Sequence, residues 1–188
     1  TVTISNNVVT NVGVGLGAFG GQGGNTVFNG NTVSYAAPAN PNNIGILVST
    51  TTWYWGEMNA NAQFTGTNTI SNAGYGLYIE QNTSSTNPVT ANVSLSGLEL
   101  YNNITGIEIH GGNISFGTGN LIADGDTGLV IDDKTTYVDY SQSPAVTITA
   151  VTASSIDSNS LGDLSFSGQL QFINLKNAAL AGNSIDAT

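Results

Sequence analysis

The chain has no arginine and no cysteine, only two lysines (Lys134 and Lys176) and one histidine (His110). Without cysteine there is no disulfide framework, no thiolate zinc site and no thiol nucleophile. Two lysines stand against twelve Asp and Glu, a formal net charge of −10 at pH 7. That balance excludes nucleic acid and anionic membrane as partners, since both require basic patches. Charged residues make up 7% of the chain, against roughly 25% in ordinary globular proteins. The surface must therefore be Asn, Thr, Ser and Gly. No apolar run approaches the ~20 residues of a transmembrane helix, so membrane insertion is not expected. Disorder requires low hydrophobicity; here 39% of residues are apolar and regularly spaced, so the chain folds.

What is present is one pattern, clearest in residues 95–133. Leu100, Asn102 and Gly106-Ile107-x-Ile109 recur as Ile122, Asp124 and Gly128-Leu129-x-Ile131. Gly-[Leu/Ile] also occurs at Gly15, Gly45 and Gly76, and Gly162 fits with a one-residue slip to Leu164 and Phe166. The glycines are 30, 31, 30, 22 and 34 residues apart. Six positions upstream stand Val9, Ile70, Leu100, Ile122 and Ile156; four upstream stand Asn11, Asn72, Asn102, Asp124 and Ser158. Eight upstream, Asn7, Asn68, Asn120 and Ser154 recur, with Leu98 the exception. In the Gly45 unit, Asn31-Thr32-Val33 supplies the upstream half, and an insertion with Pro38 and Pro41 separates it from the glycine.

A period of this length with alternating apolar residues means stacked coils of short strands. Thr, Val, Ile, Asn and Gly form helices poorly. Alternation puts Ile107 and Ile109 on one face and Glu108 on the other. A single coil cannot bury its apolar face alone, but a stack makes a continuous core. The repeat glycine is expected at a corner with positive φ, a region that Asn and Asp also tolerate. Stacked Asn side chains are expected to form amide ladders.

The pattern N-x-[V/I]-x-N-x-x-x-G-[L/I]-x-[I/V] resembles the repeat of right-handed parallel β-helices, the pectate-lyase-like superfamily, over the chain up to about Phe166. The composition is most similar to bacterial adhesins such as autotransporter passengers. The expectation is an all-β, right-handed parallel β-helix (a solenoid) of about seven coils with loop insertions on one side. Residues 1–188 form one domain, read as a fragment or mature segment of a longer surface protein, because Thr1 already lies in a strand-like run. The resemblance implies an extracellular, bacterial cell-surface location and a non-catalytic adhesin. The partner would be host or biofilm glycan, or a surface protein, with self-association possible. The alternatives are a carbohydrate-active enzyme, a polysaccharide lyase or glycoside hydrolase, and a structural or self-associating stalk.

Three constellations could carry function. The longer coils have extra residues at one phase, in Gly20–Asn25, Ser49–Gln63, Gln81–Asn92 and Asp133–Pro144, which should project from one side. These insertions carry Trp53, Tyr54 and Trp55, and Tyr137 and Tyr140. Such rings stack on sugars or anchor a protein, and can equally fold back over a coil. Second, positions two and four after the repeat glycines form outward files in which Glu80, Glu108, His110 and Asp132 should cluster. They suit acid–base work on glycosides as well as a solvated polar face. Polygalacturonases of the superfamily use an Asp trio, a His and an Arg/Lys pair, and its pectate lyases use calcium carboxylates with an Arg base; this chain has no Arg. Third, Asp124-Gly-Asp126-Thr-Gly128, with Asp132 downstream, resembles the start of a calcium loop but lacks the terminal Glu, and serves equally as turn chemistry. No cofactor is expected, calcium being the single candidate. The sequons at Asn82, Asn92, Asn103 and Asn113 are expected by chance in so Asn-, Ser- and Thr-rich a chain.

Overall fold

The computed structural model describes residues 1–52, 56–81, 89–131, 134–139, 146–151, 161–166 and 170–182. Three six-stranded sheets run along one stack, and all their strand pairings are parallel. Each rung contributes one strand to each sheet. The third rung is Ala60–Thr65, Asn68–Ser71 and Ala73–Glu80; the fourth is Ala91–Leu95, Leu98–Tyr101 and Thr105–His110; the fifth is Gly112–Phe116, Asn120–Ala123 and Thr127–Ile131. In the second to fifth rungs each strand pairs with its equivalents in the rungs above and below. This is an all-β parallel solenoid, a β-helix, with six rungs among the described residues. The expectation of about seven coils exceeds by one the six rungs of the described residues.

Alternation fixes the interior. Leu16, Ile46, Leu77, Ile107, Leu129 and Leu180 stand in one register column of the third sheet. Val9, Val33, Ile70, Leu100, Ile122 and Phe172 form the second-sheet column. In the first sheet Ile4, Phe28 and Phe64 stack, the two Phe rings 4.9 Å apart. Ile46, Leu77, Ile107, Ile70 and Leu100 are wholly buried. Each contributes roughly 1.5–3 kcal/mol from removal of its side chain from water.

The corners are held by two kinds of residue. Between the second and third sheets, Asn11, Asn72, Asn102, Asp124 and Asn174 all adopt left-handed φ of 52–59°, where short polar side chains are tolerated. Between the first and second sheets an amide ladder runs from the exposed Asn7 through the buried Asn31 and Asn68. Asn7 Nδ2 donates to Asn31 Oδ1 at 3.0 Å, and Asn31 Nδ2 to Asn68 Oδ1 at 3.0 Å. Leu98 interrupts the amides, yet its backbone N–H still donates to Asn120 Oδ1 at 3.2 Å.

The repeat glycines behave differently from expectation. Gly15, Gly45, Gly76, Gly106 and Gly128 are not among the positive-φ glycines; before Gly15, Gly76, Gly106 and Gly128 the Asx residue four positions upstream takes that role, whereas Gly45 has Pro41 there. The glycines are needed because rungs approach closely there. A Cβ on Gly106 would stand 2.5 Å from Ile122 Cγ2 and 2.7 Å from the Gly128 carbonyl oxygen.

A second correction concerns Gly162. It lies in Leu161–Phe166, which pairs with the first-sheet strand Gly112–Phe116, not with the third sheet. The sixth rung continues through Leu170–Ile173 and Ala178–Gly182, with Asn174 at the left-handed corner. Ser154, Ile156 and Ser158 lie outside the described residues.

Candidate functional site

The insertions leave the stack at one phase, between the end of a third-sheet strand and the start of the next first-sheet strand. They separate Phe19 from Thr26, Ser49 from Ala60, Glu80 from Ala91 and Ile131 from Leu161. Between His110 and Gly112 the corner closes with Gly111 alone, where φ is 88°. Two insertions contain antiparallel hairpins: Thr51–Thr52 with Gly56–Glu57, and Lys134–Asp139 with Val146–Val151. Trp53, Tyr54, Trp55 and Tyr140 lie outside the described residues. The backbone of Tyr137 is paired with Ile148 in the longer hairpin.

On the outer face of the third sheet the two expected files are in register. Phe19, Ser49, Glu80 and His110 form one, and Gly17, Leu47, Tyr78, Glu108 and Val130 the other. His110 Nε2 and Glu108 Oε1 are 2.7 Å apart. Residues two apart on a strand share a face, which brings this pair together. The Tyr78 ring lies 5.0 Å from the His110 ring and 5.2 Å from that of Tyr75. Burial, followed by the Glu108 charge, raises the pKa of the Tyr75 phenol. One rung below His110, the Glu80 carboxylate accepts a 2.5 Å hydrogen bond from Ser49 Oγ. Glu80 and Glu108 are diagonal neighbours across adjacent rungs, roughly 8 Å apart at the backbone. Asp132 lies outside the described residues.

The acidic corner is occupied by local partners. Asp124 takes the left-handed position, and its Oδ1 accepts from Asn174 Nδ2 at 3.2 Å. Asp126 Oδ1 accepts from Lys176 Nζ at 2.7 Å. Ile131, next to Asp132 in sequence, closes the strand that begins at Thr127. That strand sets Asp126 and Ile131 roughly 16 Å apart at about 3.3 Å per residue. Among the described residues no three acidic or histidine side chains are grouped to hold a metal ion.

Sequence reasoning missed a third feature. Asn61–Gln63 and Ala91-Asn92, within the expected insertions, belong instead to first-sheet strands. On the outer face of that sheet Asn61, Asn92 and Asn113 are in register. Asn113 Nδ2 donates to Asn92 Oδ1, and Asn92 Nδ2 to Asn61 Oδ1, both at 2.9 Å. Asn61 Nδ2 continues the file to the Gly24 carbonyl at 3.0 Å. Gln63, Ser94 and Ser115 form the neighbouring file. Together with Asn25 they line a shallow groove that begins where the insertions re-enter the sheet. The signal was in the sequence as Asn-apolar-[Gln/Ser], at Asn61-Ala62-Gln63, Asn92-Val93-Ser94 and Asn113-Ile114-Ser115.

No protein-family model, curated protein or solved structure gives a significant match to the chain.

Proposed function

We propose that this chain is a non-catalytic adhesin segment on an extracellular bacterial surface, binding glycan through its insertion-lined side. The observation that carries this reading is the uncharged amide and hydroxyl groove along Asn61, Asn92 and Asn113, at the corner from which every long insertion emerges. Amide groups donate and accept at once, matching sugar hydroxyls. Rigid sheet positions hold them in place, and aromatic rings such as those in the insertion sequences stack on sugars. Within parallel β-helices the repeat is most similar to the pectate-lyase-like superfamily, and the composition to autotransporter passengers; the surface location rests on that similarity. Glycan-array binding by wild type, Trp55→Ala and Asn92→Ala tests it. Binding should be lost in Trp55→Ala and weakened in Asn92→Ala. Full binding by both variants would refute this reading.

A second reading is a carbohydrate-active enzyme using Glu80, Glu108, His110 and Asp132. The carboxylate-held His110, with Glu80 on the same face one rung away, favours it. Release of reducing sugar or unsaturated product from polyuronates, abolished by Glu108→Gln, would establish it.

A further inference from the structure

Building on the glycan-binding reading above, we propose that the amide groove holds an uncharged, extended polysaccharide running along the stack, one sugar to each rung. Period selects this ligand. Asn61, Asn92 and Asn113 occupy successive rungs of one sheet, so their amides repeat about every 4.8 Å along the stack. A β-1,4-linked chain of hexopyranoses is straight, advances by nearly that step per sugar and carries hydroxyls on both edges of every ring. An extended peptide in the same place would fall out of phase. Its N–H and C=O groups recur on one edge every two residues, roughly 6.6 Å.

The file leaves a fixed set of hydrogen-bonding groups for such a chain. Asn113 Nδ2 donates to Asn92 Oδ1, Asn92 Nδ2 to Asn61 Oδ1 and Asn61 Nδ2 to the Gly24 carbonyl. These bonds fix the amide orientations, because a flipped Asn92 would set nitrogen against nitrogen and oxygen against oxygen. A side-chain amide has two N–H donors and an oxygen with two lone pairs. Asn61 and Asn92 each spend one hydrogen and one lone pair within the file, so a donor and an acceptor remain on each rung. In the neighbouring file the exposed Gln63 and Ser94 side chains make no hydrogen bond among the described residues. The two files stand two residues apart along each strand, roughly 6.6 Å, about the width of a pyranose ring with its hydroxyls. Each sugar can therefore meet an amide on one edge and Gln63 or Ser94 on the other.

Charge narrows the ligand further. No residue lining the groove is charged, and the chain as a whole carries −10 without a single Arg. A polyuronate or a sulfated glycan would find no counter-charge here and would be repelled. The groove volume of about 510 Å³ lies within the roughly 300–1,000 Å³ of ligand clefts.

Isothermal titration of the intact chain tests the proposal. The probes are cellohexaose, mannohexaose and chitohexaose, with maltohexaose (whose α-1,4 linkage coils the chain) and hexagalacturonate as controls. At least one β-1,4-linked hexasaccharide should bind, more tightly than its own disaccharide, and neither control should. Gln63→Ala in the third rung and Ser94→Ala in the fourth should each weaken that binding about three- to tenfold. Both variants should unfold at the wild-type temperature, because neither side chain holds a partner within the protein. A ligand lying along one strand would lose affinity in only one of them. Binding of either control as tightly as the β-1,4 chains, affinity independent of chain length, or full affinity in the Gln63→Ala/Ser94→Ala double variant would overturn this proposal and leave glycan binding standing. So would failure of all three β-1,4 hexasaccharides while another glycan binds on an array. Binding of no glycan at all would overturn the parent reading with it.

Discussion

Replacing Asn68 by alanine tests whether the inner amide ladder holds the rungs in register. Asn68 is fully buried. Its Oδ1 accepts from Asn31 N at 3.1 Å and from Asn31 Nδ2 at 3.0 Å. Its Nδ2 donates to Phe28 O at 3.2 Å and Thr65 O at 3.0 Å. Alanine removes all four bonds. Asn31 is also buried, so its backbone N–H and one amide hydrogen lose their acceptor where water cannot replace it. Each such orphaned donor costs about 1–3 kcal/mol, giving a loss of about 2–6 kcal/mol. That is a large part of the roughly 5–15 kcal/mol typical of a domain. Asn7→Ala, at the exposed end of the same ladder, should cost under about 1 kcal/mol. Urea unfolding followed by far-ultraviolet circular dichroism measures both. Asn68→Leu separates the causes, because it fills the volume as Leu98 does one rung on but leaves the Asn31 donors unpaired. If leucine restored wild-type stability, or Asn68→Ala lost less than about 0.5 kcal/mol, the hydrogen-bond argument would be wrong.

Gly106→Ala should destabilise by about 1–3 kcal/mol through overpacking, since its Cβ meets Ile122 and the Gly128 carbonyl. Gly21→Ala, with open space around the added Cβ, should be nearly neutral in the same unfolding assay. Burial raises the phenol pKa of Tyr35, whose hydroxyl donates to Ile44 O at 2.6 Å, and burial with the Glu108 charge raises that of Tyr75. A pKa higher in the folded than the unfolded state favours the neutral phenol. The stabilisation is therefore complete below the unfolded value of about 10 and is lost as pH rises through the folded values. Ultraviolet titration should show late-ionising tyrosines together with alkaline unfolding; uniform titration at the ordinary value would contradict it. Because Asp126 is paired with Lys176 and Asp124 with Asn174, adding calcium or a chelator should leave the melting temperature unchanged. A rise of several degrees with calcium would show a site that these pairs do not account for.

The stack was readable because its constraints recur. An inward apolar residue every second position and an Asx four before Gly76, Gly106 and Gly128 leave no other register for Leu77, Ile107 and Leu129. Alternation identifies a strand but not its partner. Residues 146–151 alternate just as a rung strand does, yet they close a hairpin with Lys134–Asp139. That hairpin hid the phase of Gly162 behind a one-residue slip. The role of the repeat glycines was not readable because close approach depends on the neighbouring rung, in this case on Ile122 opposite Gly106. At the outer face, Glu108 and His110 could be paired from their spacing alone, and the Ser49–Glu80 contact follows once the third-sheet register is known. Asn61, Asn92 and Asn113 share a short Asn-apolar-[Gln/Ser] signal, but it is faint, because outward positions carry no packing constraint and asparagine occurs throughout the chain. They acquire meaning when spacings of 31 and 21 residues become two rungs of one sheet.

The rung register can be tested directly with engineered cysteines, since the chain has none of its own. Asn92 and Asn113 are register partners on an exposed face, so their Cα atoms should lie about 4.8 Å apart, inside the range of about 4.4–6.8 Å that a disulfide requires. Asn92→Cys/Asn113→Cys should oxidise to an intramolecular disulfide in the folded protein. Asn92→Cys/Ser115→Cys, diagonal at roughly 8 Å, should stay reduced under the same conditions. Efficient bridging of the diagonal pair, with none between positions 92 and 113, would contradict the stacked parallel rungs.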